Sequence, residues 1–335
     1  MRIAIFGNLS QPPFVNNLLG PLRAFERAGE VRLAEPFRFP GFVSTGGARP
    51  TAVPLEAVRA ATEGFSPEVA VLIAGGLFLP PAGRAMLGAG TVVVGLALSD
   101  PIGLEASLAI APHCDLFYTQ DPHAVEVYTR SGIAVRRCNP AIDPSLYRPA
   151  TGDPACDVLF VGKWTARRDA LLQALAREVD LRIHTHAGEN RWALPALGPL
   201  DSPEALRSAI CGARLVLECA TVDDPAGPLT GSVRITNRPQ IAAACGVASL
   251  IEPFDMLPDF FEPEREIFTY RGRDDLCAVA RAALDDPERR ASVAKAARAR
   301  VLREHTWDHR VRAILVDVAN LRVRRGQASG RELTR

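Results

Sequence analysis

Short apolar runs alternate with stretches of helical periodicity along the whole chain. Residues 2–6 are β-branched and aromatic and end at Gly7, which predicts a buried parallel strand. Leu18 to Arg27 has apolar residues at helical spacing, which predicts a helix. Further strands are predicted at residues 69–74, 91–98 and 116–119, and a helix begins after Asp121 and runs through Tyr128. This alternation predicts an α/β fold with a mostly parallel sheet covered on both faces.

A proline-rich stretch at residues 139–153 interrupts the pattern, which then starts again. We therefore predict domains at 1–150 and 151–312, followed by a C-terminal helix and tail at 313–335. Open α/β sheets bind ligands at the carboxyl ends of their strands, so we expect a cleft between two such domains. In the second half, strands are predicted at residues 157–161, 181–184, 215–219 and 248–251, and helices at 166–177, 202–211, 237–244, 274–284, 287–304 and 307–324.

Composition excludes several classes of protein. The 335 residues are 47% hydrophobic and 23% charged, as in an ordinary globular protein, and the net charge of +1 comes without a basic stripe. We therefore expect no nucleic-acid partner. The most apolar stretch, residues 69–83, is shorter than the ~20 residues of a spanning helix, so we expect no membrane span. The N-terminal apolar run is too short for a signal peptide.

The seven cysteines are scattered, odd in number and form no Cys-x-x-Cys pair. This pattern suggests neither a disulfide framework nor a zinc site, and we expect a reduced, cytoplasmic location. Residues 30–60 are rich in proline, glycine and phenylalanine and predict a variable loop that contacts an acceptor.

The turns after the first strand of each half decide between classes of nucleotide enzyme. They contain Gly7-Asn8-Leu9-Ser10 and Gly162-Lys163-Trp164-Thr165, and neither has the glycine spacing of a dinucleotide site. No P-loop motif is present either. Hydride transfer and P-loop chemistry are therefore disfavoured.

Basic residues instead gather at predicted helix starts in the second half. Lys163 follows a strand, Arg167 and Arg168 lie in the next helix turn, and Arg234 and Arg238 flank a second helix start. Thr236 or Asn237 is a good N-cap for that second helix. A diphosphate needs positive charge and free N–H donors, and a helix N-terminus offers both. The alternative is that these arginines are ordinary surface residues.

Two segments of the second half resemble the C-terminal domain of CgeB-like glycosyltransferases. They are Asp157-Val158-Leu159-Phe160-Val161-Gly162 followed by Arg168, and Thr236-Asn237-Arg238 leading into Ala242-Ala243-Ala244-Cys245-Gly246. Further similar segments, in the family's order, are Ser99-Asp100-Pro101, Ala141 to Pro149, Phe261-Glu262-Pro263, Asp274-Asp275-Leu276, Asp286 to Arg290 and His305 to Arg310. Together they cover roughly residues 95–312.

The resemblance implies a GT-B fold, in which two Rossmann-like parallel-sheet domains face a central cleft and the C-terminal helix crosses back to the N-terminal domain. It places the chain near the retaining family-4 group, which needs no bound metal. The implied donor is a UDP-, GDP- or dTDP-linked sugar held by the second domain. An acceptor hydroxyl, of unknown identity, is expected on the side of the first domain. We expect no further cofactor, and a monomer or homodimer.

The resemblance also implies roles for individual residues. Asp100, Lys163 and Arg238 are the catalytic candidates, with Asp100 as acceptor ligand or base; the alternative for Asp100 is an N-cap. The donor-binding candidates are Gly7, Asn8, Gly162, Lys163, Arg168, Arg234, Thr236, Asn237, Arg238 and Gln240.

One departure from the family pattern affects this interpretation. The family has Phe-Glu where this chain has Gln240-Ile241, and that glutamate is expected to bind the nucleotide ribose. Gln240 could replace it in part. The alternatives are therefore a shifted ribose contact, an unusual donor, or a non-catalytic nucleotide- or sugar-binding relative of the same fold.

No metal site is predicted. His184 and His186 would point to opposite faces of a strand, and His305 and His309 lack a third ligand nearby. Asp223 and Asp224 are adjacent rather than alternating and are typical of a loop.

Overall fold

The computed structural model describes residues 1–7, 15–34, 50–73, 77–98, 100, 103–185, 191–219 and 236–332. Internal contacts divide the chain into two compact units. The first unit is Met1–Pro140 with Trp307–Arg335, and the second is Ala141–Thr306. The sequence had suggested divisions at 150 and 312.

The first unit is built on a parallel sheet. Its strands are β1 (Arg2–Gly7), β2 (Glu30–Ala34), β3 (Thr51–Ala52), β4 (Val69–Ile73), β5 (Leu77–Phe78), β6 (Val92–Ala97), β7 (Leu116–Thr119) and β8 (Arg136–Arg137). Its helices are α1 (Val15–Ala28), α2 (Leu55–Thr62), α3 (Pro81–Leu87), α4 (Leu104–Ile110), α5 (Pro122–Arg130) and, from the end of the chain, α11 (Trp307–Glu332). The main sheet has the order β2-β1-β4-β6-β7-β8, and all its neighbours are parallel.

The apolar runs of the sequence form the centre of this sheet. Every residue of β4 and β6 is buried, as expected for strands covered by helices on both faces. In register, Ile5 of β1 lies opposite Val71 of β4.

The C-terminal helix belongs to the first unit, as predicted. A Cβ on Gly20 of α1 would lie 2.5 Å from the Trp307 ring of α11, so glycine allows these two helices to approach closely. Arg27 and Asp308 form an ion pair at 2.9 Å at the same contact, and Tyr118 donates to Asp317 at 2.7 Å. These contacts connect α11 both to α1 and to the sheet.

The second unit repeats the strand–helix alternation. Its strands are β9 (Cys156–Val161), β10 (Leu181–His184), β11 (Ala213–Glu218), β12 (Ala248–Ile251) and β13 (Phe268–Thr269). Its helices are α6 (Ala166–Leu175), α7 (Pro203–Cys211), α8 (Arg238–Ala244), α9 (Gly272–Asp285) and α10 (Pro287–Glu304). The sheet order is β10-β9-β11-β12-β13, again with all neighbours parallel. Val158, Phe160, Leu215 and Leu217 contribute to its core.

The predicted loop at residues 30–60 is wrong where the structure describes it. Glu30–Ala34 pairs with β1 as an edge strand, and Leu55–Thr62 is a helix. The edge strand is only half-buried and carries charged residues, so its sequence lacks the apolar run of a central strand. The helix buries Ala57, Val58 and Ala61, small residues that give a weak apolar signal.

Candidate functional site

The strand order of the second unit identifies one edge of the sheet as the candidate site. The chain leaves β9 toward β10 on one side, whereas it leaves β11 toward β12 on the other side. In open α/β sheets, ligands bind where the connections diverge in this way, outside the carboxyl ends of the strands. Those ends are Val161 of β9 and Glu218 of β11, which lie on neighbouring strands.

Gly162 lies directly after β9, at this edge. Its N–H donates to the His184 carbonyl at 2.9 Å, which continues the pairing with β10. A Cβ here would lie 2.9 Å from the Phe160 ring and 3.2 Å from Nη1 of Arg238. Glycine is therefore needed because an aromatic ring and a guanidinium both approach the backbone closely.

Arg168 connects the segments that follow β9 and β11. Its guanidinium donates to the Lys163 carbonyl and to the Cys219 carbonyl, both at 3.1 Å. It also lies over the Phe160 ring, at 5.9 Å from the ring centroid. The Oγ1 atom of Thr165 caps α6 by accepting from the Arg168 N–H at 3.2 Å. Arg168 thus holds the backbone at Lys163 in place. Lys163 itself is half-buried.

Arg238 is engaged in a bidentate ion pair with Glu218. Its Nε lies 2.6 Å from Oε2 and its Nη2 lies 2.9 Å from Oε1 of this carboxylate, while Nη1 donates to the Val161 carbonyl. Thr236 also donates to Glu218, at 2.9 Å. Burial lowers the pKa of the Arg238 guanidinium, but attraction to Glu218 outweighs it and the pKa is raised overall. The charged guanidinium of Arg238 therefore bridges the ends of β9 and β11.

Thr236 and Asn237 lie at the start of α8, as predicted. Asn237 occupies the N-cap position without a side-chain cap bond, whereas Thr236 Oγ1 accepts from the Arg238 N–H at 3.3 Å. Of the two proposed caps, Thr236 makes the side-chain contact.

Gln240 and Ile241 are both buried within α8. Neither amide atom of Gln240 has a hydrogen-bond partner among the residues that the structure describes. Ile241 is 4% exposed and offers no polar atom. Of these two residues, Gln240 is therefore the one whose side chain can form a hydrogen bond.

A second ion pair lies at the same edge. Arg167 forms a bidentate pair with Glu252, the residue after β12, and this hydrogen bond raises the pKa of Arg167. The sequence identified the cations of the edge but missed both acidic partners, Glu218 and Glu252. An acidic residue at the end of a buried strand, as in Leu215-Val216-Leu217-Glu218, is the signal that could have found the first of them.

Two of the predicted site residues, Gly7 and Asp100, lie in the first unit and are buried there. Gly7 is buried at the end of β1, where a Cβ would lie 3.2 Å from the Ile73 carbonyl of β4. Asp100 is fully buried and its Oδ2 accepts from Thr119 at 2.7 Å and from Tyr128 at 2.9 Å. Burial raises the pKa of Asp100. Asn8 and Arg234 lie outside the described residues.

Two further properties concern metals and membranes. Within the described residues, no group of three or more histidine, cysteine, aspartate or glutamate side chains could hold a metal ion. His186, Asp223 and Asp224 lie outside those residues. Across the same described ranges, we find no helix whose length and apolar character would let it cross a bilayer.

Comparisons with known proteins identify a matching family and solved structures of similar fold. Residues 167–316 match the model of a family described as glycosyl transferase-like. No curated protein matches the sequence. Solved structures of similar fold include HepE from Anabaena in complex with UDP-glucose, which is 13% identical with a TM-score of 0.61, the match covering 96% of this chain and 100% of HepE.

Two other solved structures share the fold. AviGT4, a glycosyltransferase involved in avilamycin A biosynthesis, is 16% identical with a TM-score of 0.63, over 96% of this chain and 98% of AviGT4. Sucrose-phosphate synthase from Thermosynechococcus elongatus is 14% identical with a TM-score of 0.57, over 100% of this chain and 99% of the synthase. These structures confirm the predicted GT-B type of fold, and the match of residues 167–316 to a glycosyl transferase-like family agrees with the predicted class of enzyme.

Proposed function

We propose that this chain transfers a sugar from a nucleoside-diphospho-sugar to an acceptor hydroxyl, and that the donor diphosphate binds at the edge formed by β9, β11 and α8. The observation that carries the proposal is the charge of Arg168, which donates to two carbonyls at this edge, where the connections of the second sheet diverge. HepE, whose fold is similar, was solved with UDP-glucose. The CgeB-like assignment is part of the proposal, and the matched segment includes the motifs from Thr236 to Gly246 and from His305 to Arg310.

The proposed roles of the residues follow from the negative charge that develops on the leaving diphosphate. Breaking the bond between sugar and diphosphate builds negative charge on the leaving diphosphate, and preorganised cations and N–H groups lower that barrier. The described partners of Arg168 are neutral carbonyls, so its positive charge is available to a ligand. Lys163 is carried on the backbone that Arg168 holds. Arg238 is neutralised by Glu218, so we assign it a positioning role.

Two finer features belong to the same proposal. Retention of the anomeric configuration and independence from a metal are what the family resemblance implies. In a retaining reaction the leaving phosphate can accept the acceptor proton, so no dedicated base is required. We therefore propose that Asp100 supports the first unit through Thr119 and Tyr128 and does not touch substrate.

Calorimetry with UDP, GDP, dTDP and ADP, alongside NAD and NADP, tests the donor site. We expect one nucleoside diphosphate to bind, and Lys163→Ala to weaken it at least about 10-fold, the value of one charge-assisted contact. The matched control is Lys295→Ala, which removes the chain's other lysine from an exposed position on α10. Failure of every nucleotide to bind the folded wild-type protein would overturn the proposal.

A non-catalytic nucleotide or sugar binder is the second candidate, and the buried Ile241 favours it, since the family has glutamate at this position. Incubation of the protein with the UDP-, GDP- and dTDP-linked sugars, followed by chromatography of the released nucleotide, separates the two. Release of nucleoside diphosphate above the no-protein rate, lost in Lys163→Ala but kept in Lys295→Ala, supports an enzyme. Tight binding without any release, with a panel of sugar and alcohol acceptors present, supports a binder.

A further inference from the structure

A cavity of about 460 Å³ lies on one face of the second sheet, beside α7. Its floor includes Leu159 of β9 and Arg182 and His184 of β10. Arg182 lies opposite Leu159 in register, so both side chains are on the same face of the sheet. The walls come from α7 and from the segment before that helix, through Leu200, Ala205, Ser208 and Ala209. All of these residues belong to the second unit, and we call this space the α7 cavity.

Hydrogen bonds fix the walls of the α7 cavity. The backbone N–H and carbonyl of Leu197 pair with the outer edge of β10, at 2.8 and 3.1 Å. Nδ1 of His184 donates to the Gly198 carbonyl at 2.9 Å. Ser202 then caps α7 by accepting from a backbone N–H at 3.0 Å. Because Leu200 lies between these anchors, the wall that it forms is in place before any ligand binds.

The α7 cavity carries one positive charge. Within the lining that the structure describes, Arg182 is the one side chain with a permanent charge. It is exposed, and its guanidinium has no hydrogen-bond or ion-pair partner among the described residues. Cys156 also lines the cavity, and burial raises the pKa of its thiol to about 11, so this group is neutral. Of the two acids near Cys156, Asp157 is paired with Arg214 at 2.8 Å, and Asp180 is exposed to solvent.

The rest of the described lining is mostly apolar. Leucine and alanine side chains form most of it, namely Ala155, Leu159, Leu200, Ala205 and Ala209. Packed proteins contain few spaces larger than a water molecule, whereas sites for small molecules have volumes of about 300–1,000 Å³ and a few polar groups in an apolar lining. The α7 cavity has the size and the lining of such a site. Its single charge selects a ligand with one anionic group and an apolar body.

We propose that the α7 cavity binds a small organic anion, with its carboxylate or phosphate group on Arg182 and its apolar body between Leu159 and α7. Arginine suits both groups, because its guanidinium donates two parallel hydrogen bonds to either of them. The cavity extends along the face of the sheet to Cys156, at the amino end of β9, whereas the donor edge lies at the carboxyl ends of the strands. Its other end, at His184, lies opposite Val161. The experiment therefore has to separate the two sites.

The test titrates the full chain with 2-naphthoate and with 2-naphthyl phosphate, followed by NMR signals of the ligand, and uses 2-naphthamide as the neutral counterpart. At least one anion should bind at least about 10-fold more tightly than the amide, the value of one charge-assisted contact. The tighter of the two anions identifies the preferred anionic group. Arg182→Gln should weaken that anion about 10-fold, to the level of the amide. The matched control is Arg177→Gln, which removes an exposed arginine outside the cavity and should leave the affinity unchanged.

Two further variants locate the bound anion. Ala209→Leu enlarges a wall residue of α7 and should abolish anion binding by filling the cavity; if this variant does not fold, Arg182→Gln decides alone. Lys163→Ala changes the donor edge and should leave anion binding intact, whatever its effect on nucleotides. The proposal fails if neither anion binds the folded wild-type protein, if Arg182→Gln binds as tightly as wild type, or if Lys163→Ala abolishes anion binding.

Discussion

Replacing Arg238 with alanine should destabilise the second unit by about 3–5 kcal/mol, because the substitution leaves a buried carboxylate without its cation. The Glu218 side chain is 1% exposed and the Arg238 side chain 19% exposed. Two charge-assisted contacts at 2.6 and 2.9 Å disappear, and the Thr236 hydroxyl, 2.9 Å away, is left as a neutral donor. A neutral hydroxyl cannot replace a full charge in this environment.

The double variant Glu218→Leu/Arg238→Met supplies the decisive comparison. It removes both charges, so it should lie within about 2 kcal/mol of wild type and should be more stable than Arg238→Ala alone. What it loses is the contact of Arg238 with the Val161 carbonyl and that of Thr236 with Glu218, each worth about 1 kcal/mol. Glu218→Leu alone should cost less than Arg238→Ala, because the partly exposed guanidinium can turn toward water.

Urea unfolding followed by tryptophan fluorescence measures these differences. In a Trp307→Phe background, the remaining tryptophans, Trp164 and Trp192, both report on the second unit. Urea is preferred to guanidinium chloride, since added ions screen charge interactions. An Arg238→Ala midpoint equal to that of wild type, or a double variant less stable than Arg238→Ala, would refute the reasoning.

The other predictions concern one glycine and one buried carboxyl. Gly162→Ala should cost about 1–3 kcal/mol, because its Cβ would lie 2.9 Å from the Phe160 ring and 3.2 Å from the Arg238 guanidinium, and an unchanged melting temperature would contradict this. For Asp100, burial raises the pKa above its ordinary value of 3.8, so the stability it contributes is complete below that pH and is lost as pH rises through the folded pKa. Asp100→Asn does not titrate and should gain stability relative to wild type over the pH range that begins near 4 and rises through the folded pKa of Asp100. Urea midpoints across this range check the trend, and a constant difference between the two proteins would be inconsistent with it.

The central strands of both sheets could be predicted from the sequence, whereas three of the four edge strands of these sheets could not. The central strands Leu116–Thr119 and Ala248–Ile251 were predicted with the bounds that the structure gives, because apolar runs of this length suit strands buried between layers. The edge strand Leu181–His184 was also predicted with its observed bounds. The two-residue strands Arg136–Arg137 and Phe268–Thr269 were missed. Short edge strands need little apolar surface, so their pairing depends on the neighbouring strand and leaves no periodicity of its own.

The basic residues of the candidate site could be named from the sequence, but the ion pairs that they form could not. Lys163, Arg168 and Arg238 follow strand ends and helix starts, which are local features. The neighbour of β9, in contrast, is β11, and that adjacency brings Glu218 beside Val161 from 57 positions along the chain, 218 minus 161. No local sequence pattern predicts that these two residues are neighbours, because their contact follows from the strand order of the whole sheet. The ion pair therefore became visible only with the topology.

Arg238 and Arg168 lie at the same edge of the sheet, but this topology gives them different roles. Arg238 is compensated by a carboxylate, so its charge contributes little to attracting a diphosphate and its removal should be felt first as lost stability. Arg168 donates to two neutral carbonyls, so it organises the loop and keeps its charge. At an effective dielectric constant of about 20, such a charge 4 Å from a phosphate oxygen is worth about 4 kcal/mol before desolvation is subtracted. Donor affinity should therefore follow Lys163 and Arg168, and lost nucleotide binding in an Arg238 variant is informative only after its folding has been measured.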